Sequence, residues 1–495
     1  MAQDPCQQAA MADISPVFAR AAMLIDGEWV AAASGRSQLH HDPSTGLPLG
    51  AFALAGAVDI DRAIASCQRA FPAWRDAQPA FRRDVLLRAA AAIRARGAQF
   101  AAIAARESGA VYAPQAAGQA AEHLVYYAGW ADKIEGSTVA LGPGAFNYGL
   151  LEPYGVVAAI NAWNGPLATA LMKLGAILAA GNCVVLKAPD LGPFATLLLG
   201  EVMLEAGLPP GVLNVVTGLA EAGAALVADP RIGKISFTGG LPTARKVMAA
   251  AAVHATPVVS ELGGKSANLV FADADLDRAA GMAARMGCLT HAGQGCVLPT
   301  RLLVEEAVYD VFVEKVLAIV RAARVGHPCT PGVAYGPLIN AAALERVLAV
   351  VARAQQQGHG RLLAGGHRLG GELAQGYFMA PTVFGDVDNR SPLAQEEIFG
   401  PVLSIIRFSG EAQGLALAND TPFGLAGYIH TTDLERAHRV AARLEAGYIS
   451  INGFAPLPAP APFGGYKQSG FGREGGREGL AEFLRHKNVY LELQR

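Results

Sequence analysis

Val156-Val157-Ala158-Ala159-Ile160, Cys183-Val184-Val185-Leu186, Leu213-Asn214-Val215-Val216 and Ile232-Gly233-Lys234-Ile235-Ser236-Phe237 are short apolar runs separated by helix-length stretches, and Val258-Val259 adds a fifth. Such runs read as buried strands, and parallel neighbours need a crossover helix between them. The region therefore predicts a doubly wound parallel sheet. Ligands on such sheets sit at the carboxyl ends of the strands.

Working outward, residues 58–134 are alanine-rich with charges spaced through them (Arg62, Arg69, Arg82, Arg88, Glu107, Glu122), which at helical period gives one apolar and one solvated face. After Ser266 a second alternating series begins, with strand-like runs at 267–271, 302–304, 402–408, 427–430 and 448–451. The fold class expected is thus α/β, with two doubly wound parallel-sheet domains. Residues 1–20 read as a loose N-terminal arm, 21–134 with 153–264 as one domain, and 265–465 as the other. Segments 135–152 and 480–495 read as a small β arm, either for subunit contact or as an ordinary hairpin and tail. Regions 330–395 and 409–426 read only as scaffold.

With 495 residues the chain exceeds the size at which one core keeps growing. Its residues are 52% hydrophobic and only 17% charged, which points to surface buried between subunits. A net charge of −2 with scattered cations gives no footprint for nucleic acid or an anionic membrane. Six dispersed cysteines, without a Cys-x-x-Cys pair, suggest neither a disulfide framework nor a metal site and fit a reducing compartment, so a cytoplasmic location is expected. Asp4, Asp13 and Asp26 interrupt the first thirty residues, which do not read as a secretory signal. The longest uncharged stretches are broken by asparagines or prolines and do not read as membrane spans.

Two glycine-rich motifs carry the chemistry. Glu261 opens Glu261-Leu262-Gly263-Gly264-Lys265-Ser266, and Cys296 closes Gly293-Gln294-Gly295-Cys296. A thiolate can attack a carbonyl carbon and hold the product as a thioester, while a carboxylate in reach activates the water that releases it. The pair straddles the boundary between the two α/β series.

These residues, with Trp163-Asn164-x-Pro166, Lys187 ending a strand, Phe237-Thr238-Gly239, Glu397-Ile398-Phe399-Gly400-Pro401 and the run from Pro462 to Glu474, make the chain resemble the NAD(P)-dependent aldehyde dehydrogenase superfamily from about Met23 to Leu493. The resemblance implies Cys296 as nucleophile, Asn164 with the Cys296 backbone N–H as oxyanion hole, and Glu261 as base for thioester hydrolysis. Lys173 matches a supporting family lysine, unless it is a helix-surface residue. The domain of residues 21–134 and 153–264 would bind the dinucleotide, and residues 265–465 would be catalytic. Ile160, Asn161, Trp163, Lys187, Asp190, Phe237, Thr238, Gly239, Gly240, Leu262, Glu397 and Phe399 would hold the cofactor, NAD with NADP possible. No metal is implied. The partners implied are a small aldehyde and further copies of the chain, as a homodimer or homotetramer.

Departures from the family pattern are informative. Asp190 stands where many NAD-preferring relatives carry Glu, keeping a carboxylate that disfavours a 2′-phosphate. Gly240 replaces a serine, and Ala244 replaces a glycine with a methyl where either backbone or phosphate approaches. Gly165 replaces an aromatic residue, leaving room for a larger aldehyde, and His291 replaces a common asparagine. Two rivals stand beside the oxidising reading: a CoA-acylating enzyme, which generally lacks the base, and a silent nucleotide-binding relative.

Overall fold

A computed structural model describes residues 13–454 and 457–493. Strands Leu213–Val216, Cys183–Lys187, Val156–Ile160, Ile232–Thr238 and Val258–Glu261 lie side by side in that order, all parallel. Each carries the residues whose apolar runs predicted it. The chain order reverses between Val156–Ile160 and Ile232–Thr238, which opens a crevice at their carboxyl ends. Helix Pro166–Ala179 fills the crossover after the first of these strands and starts with Pro166, whose missing N–H costs nothing there. Its Leu171, Leu174, Ile177 and Leu178 are fully buried, each worth about 1.5–3 kcal/mol of burial. Truncating Leu174 to alanine would cost about 2–5 kcal/mol.

Three short strands extend this sheet and carry no periodic signal of their own. Met23–Ile25 and Glu28–Val30 form an antiparallel pair on one edge. Gly470–Phe471 returns from the far end of the chain to pair antiparallel with Ser260 and Glu261 on the other.

The second sheet runs Arg361–Ala364, Thr382–Gly385, Val402–Phe408, Arg301–Glu305, Ala267–Val270, Ala426–His430 and Tyr448–Ile451. Only the first pair is antiparallel. The first two strands lie in the region read merely as scaffold. A separate antiparallel sheet joins Ser137–Val139, Ala145–Pro153 and Leu484–Glu492. Among the described residues no helix is long and apolar enough to cross a membrane, and no disulfide joins the described cysteines, Cys6 lying outside them.

Two boundary expectations need correction. The arm expected to be loose over 1–20 is described only from Asp13, and that part is docked: Phe18 is buried edge-on against the Phe194 ring, and Arg20 Nη1 donates to Glu201 Oε2 at 2.7 Å. At the expected start of the β arm, residues 480–483 still pack with the first domain, because Leu480 and Phe483 are buried in the core of the first sheet, and the strand of the arm begins at Leu484. Tyr127, fully buried beneath that sheet's helices, holds the segment by donating to the Gly476 carbonyl at 3.1 Å.

Candidate active site

A cavity of about 900 Å³ opens at the carboxyl ends of the parallel strands. Its lining includes every residue expected at the site except Lys173: Cys296, Glu261, Asn164, Ile160, Asn161, Trp163, Lys187, Asp190, Phe237, Thr238, Gly239, Gly240, Leu262, Glu397 and Phe399. Residues far apart in sequence meet here because strand ends converge at the reversal of strand order, while Cys296 and Glu397 reach in from the second sheet's side.

The two glycines after Glu261 have a steric reason. A side chain at Gly263 would lie 2.1 Å from Glu397 Oε2, and one at Gly264 would lie 2.6 Å from the Cys296 carbonyl oxygen. A Cβ at 263 would displace the Glu397 carboxylate, while one at 264 would meet Cys296 backbone that has to shift, so the close packing of this loop on the candidate nucleophile needs glycine at 264 above all. Gln294 pins the turn before Cys296: its Oε1 accepts from Ile339 N at 2.9 Å and its Nε2 donates to the His291 carbonyl at 3.1 Å. Asn164 Nδ2 donates to the Gln294 carbonyl at 3.1 Å, so the amide expected in the oxyanion hole is aimed at the cysteine turn.

Cys296 is half-buried, and its thiol is pushed up to about 12, first by desolvation and then by the nearby carboxylates Glu397 and Glu261. The N–H groups of Cys296 and Val297 face the sulfur and oppose the shift without overcoming it. The resting sulfur therefore keeps its proton at neutral pH. Glu261 is buried with no hydrogen-bond partner on either oxygen. Burial, then repulsion from Glu474, raises its pKa well above the carboxylate range, while Lys173 and Arg473 pull it down. An unsolvated, unsatisfied carboxyl in a cavity is poised to take a proton rather than to hold the fold together.

Lys173 is not a helix-surface lysine. It has no exposed surface and its ammonium ends on Glu474 and, at 2.9 Å, on Ser236 Oγ. It does not line the cavity and acts on Glu261 through charge alone. Glu474, quoted in the C-terminal motif, was not singled out in sequence. Its buried pairing to a lysine 301 positions away left no local signal. The neighbouring strand Gly470–Phe471 clamps the Glu261 strand, with Leu262 N donating to the Ser469 carbonyl at 3.0 Å and Ser469 Oγ donating to the Gly263 carbonyl at 2.7 Å.

The other end of the cavity suits a dinucleotide. Helix Leu241–Ala252 starts at Gly240 with no side-chain cap; Pro242 has no N–H and Thr243 N donates to the Gly240 carbonyl at 3.1 Å, which leaves the Gly240 and Leu241 N–H groups for an anion. Thr238 Oγ1 is buried without a partner beside it. Lys187 and Asp190 stand together, the carboxylate partly offsetting the burial that lowers the lysine's pKa. Ala224, Val227, Val247 and Ala250 from two facing helices add an apolar slot that carries no mark in the sequence to set it apart from ordinary core. Ala244 is fully buried outside the cavity lining, so of the two neighbours expected for its methyl, backbone or phosphate, the core packing favours protein. Asn161 spends its side chain on structure, donating from Nδ2 to the Pro166 carbonyl at 2.7 Å. Glu397 Oε1 accepts from Gly264 N at 3.1 Å, and Phe399, in the left-handed region at φ 52°, sets its ring edge-on to Trp163. His291, also left-handed at φ 49°, stacks on Tyr112 as a neutral ring, its pKa lowered to about 4 by burial.

Residues 29–489 match the model of the aldehyde dehydrogenase family. The fold matches HpcC from Thermus thermophilus at a TM-score of 0.94 and 39% identity, covering 99% of this chain and 96% of that one. A putative aldehyde dehydrogenase from Burkholderia cenocepacia matches at 0.93 and 38%, covering 96% and 98%. The aldehyde dehydrogenase of Bacillus cereus, solved as an NAD+ complex, matches at 0.94 and 34%, covering 98% and 99%. The chain belongs to the aldehyde dehydrogenase family.

Proposed function

We propose that the protein oxidises an aldehyde to the carboxylic acid with NAD as acceptor, through covalent intermediates on Cys296. The observation that carries this reading is the single cavity shared by the Cys296 thiol, the partnerless Glu261 carboxyl and the Asn164 amide, continuous with an uncapped helix start.

In this reading the Cys296 thiol passes its proton to solvent water, the sulfur attacks the aldehyde carbon, and the resulting oxygen anion is held by the Asn164 amide and the Cys296 N–H. Lys187 and Asp190 hold the ribose hydroxyls of the adenosine half, the first turn of Leu241–Ala252 meets the pyrophosphate, and Glu397, Phe399, Trp163 and Leu262 place the nicotinamide half. The dinucleotide, when bound, supplies the hydride acceptor. Glu261 then takes a proton from water, which cleaves the thioester on Cys296 and releases the acid. That complex of the Bacillus cereus relative with NAD+, and the carboxylate at 190, support NAD over NADP. Glu261 with both oxygens unengaged supports transfer to water over transfer to CoA.

The exposed apolar residues of the three-stranded sheet, Val139, Phe146, Leu150, Tyr490 and Leu491, support a subunit-contact arm in a homodimer or homotetramer. Activity is tested by aldehyde-dependent NADH absorbance. The expected outcome is turnover lost in Cys296→Ser; undiminished turnover in that variant overturns the reading.

A further inference from the structure

A second cavity, of about 740 Å³, lies across the Asn164–Pro166 turn from the first. Asn164 lines the nucleotide side, while the next two residues, Gly165 and Pro166, line this one. Cys296 is not in its lining, but Met172 and Leu457 of that lining belong to the apolar cluster against which Cys296 packs, so the cavity lies one apolar layer from the nucleophile. A substrate entering here would present its carbonyl to the sulfur from the side opposite the cofactor.

The lining has a consistent chemistry. Phe100, Tyr112, Tyr126, Met172, Leu457 and Pro458 give broad apolar and aromatic faces, and the helix positions between them are mostly alanine. The small residues make the space wide: a Cβ built on Gly165 meets no atom within 4 Å, and Ala168 is exposed into the hollow. Among the described lining residues no lysine or arginine is present. The one carboxylate is Glu122, exposed and held by Arg94 at 2.5 Å. His123 is buried, its pKa lowered to about 4, so it offers no cation at neutral pH.

We infer that this cavity selects an uncharged aldehyde carrying a bulky aromatic group, and that Gly165 and Ala168 set the width available to it. A two-carbon aldehyde would leave most of such a volume unfilled, since cavities of a few hundred to about 1,000 Å³ fit far larger ligands. A semialdehyde carrying a carboxylate would be stripped of water against apolar walls with no free counter-charge, since Arg94, outside the lining, is already paired to Glu122, and this is costly. A quaternary ammonium aldehyde would find only an exposed carboxylate already paired to arginine. Ring faces, in contrast, meet Phe100, Tyr112 and Tyr126 in offset or edge-on contact.

This inference rests on the oxidation reading for its chemistry but not for its pocket, and two measurements separate them. The first is kcat/KM with NAD for 4-isopropylbenzaldehyde, acetaldehyde, succinic semialdehyde and betaine aldehyde. The aromatic aldehyde is expected to lead the other three by at least about tenfold. In Gly165→Phe and in Ala168→Phe its kcat/KM should fall by about tenfold more than that of acetaldehyde. The second is calorimetric binding of the unreactive 4-isopropylbenzyl alcohol against 4-hydroxybutyrate, with the aromatic alcohol expected to bind at least about tenfold tighter and to weaken in both variants. Succinic semialdehyde or betaine aldehyde matching the aromatic aldehyde, equal losses for all substrates in both variants, or equal binding of the two alcohols overturns the pocket assignment. Selective binding of the aromatic alcohol without oxidation of any aldehyde supports the pocket and overturns the activity instead.

Discussion

Lys173 and Glu474, 301 positions apart, form a buried ion pair whose lysine also holds Ser236 Oγ at 2.9 Å. Ser236 lies on the strand paired to Val258–Glu261, so the pair sits behind the candidate base, where it biases Glu261 in opposite directions: the carboxylate raises its pKa and the ammonium lowers it. Glu474→Gln removes the raising charge and keeps the lowering one. The Glu261 pKa should then fall, and the acidic limb of the kcat profile should move to lower pH. A limb that stays in place would show that the two carboxylates are uncoupled.

The same pair bears on stability. Lys173→Met leaves Glu474 as an uncompensated buried acid, at an expected cost of about 3–5 kcal/mol, whereas Lys173→Met with Glu474→Leu removes both charges and should recover most of it. Urea unfolding of the two variants measures the difference. Equal destabilisation by both would mean that packing, not charge, dominates at this position.

Glu261→Gln keeps the volume of the side chain and removes its basicity. Attack by Cys296 should continue while thioester hydrolysis slows, lowering steady-state turnover by about 10²–10⁴-fold. Intact-mass spectrometry after mixing with aldehyde and NAD should then find acylated protein, with the added mass on the Cys296 peptide. Turnover near wild type without acyl accumulation would remove Glu261 from the hydrolytic step.

The raised pKa of Cys296 predicts its reagent chemistry. With the thiol pushed up to about 12, only a small thiolate fraction exists at pH 7 in the cofactor-free protein. Alkylation by iodoacetamide, followed on the Cys296 peptide, should be slow there and rise about tenfold per pH unit toward pH 10, because the thiolate is the attacking species. Cys67, Cys183 and Cys288, fully buried and also shifted upward, should stay unmodified in the folded protein. Fast, pH-independent labelling of Cys296 would mean that the backbone N–H groups at 296 and 297 prevail over burial.

What is legible in the sequence follows from what short windows encode. The five parallel strands are readable because strands buried on both faces need continuous apolar residues, as Val184, Val185 and Leu186 show. The cavity lining is anticipated through the family resemblance, which assigns residues such as Ile160, Trp163 and Phe399 that no local pattern marks; only the glycine-rich turns at Glu261 and Cys296 speak for themselves. Gly470–Phe471 and Thr382–Gly385 are not readable, since runs of two and four residues whose partners lie hundreds or tens of positions away have no period to detect. Ala244 leaves two neighbours open in the sequence for a related reason: whether a helix residue faces ligand or core depends on the helix's rotation against the sheet, which only packing sets. Glu474 carries a motif but no hint that its partner is Lys173.

Asp190 yields the test of cofactor choice. It lines the nucleotide cavity beside Lys187, and its charge is felt by that lysine. Glu221, another carboxylate of the lining, is engaged by Arg36 at 3.0 Å. Asp190 is therefore the acid positioned to repel a 2′-phosphate. Two unit charges about 4 Å apart repel by about 4 kcal/mol at an effective dielectric of about 20, and screening at a partly open site leaves a fraction of that. Asp190→Ser should accordingly lower the ratio of kcat/KM for NAD to that for NADP by about tenfold or more, chiefly by improving the NADP value. A fall caused only by loss of NAD activity would assign Asp190 to ribose binding alone, and an unchanged ratio would place discrimination elsewhere in the cavity.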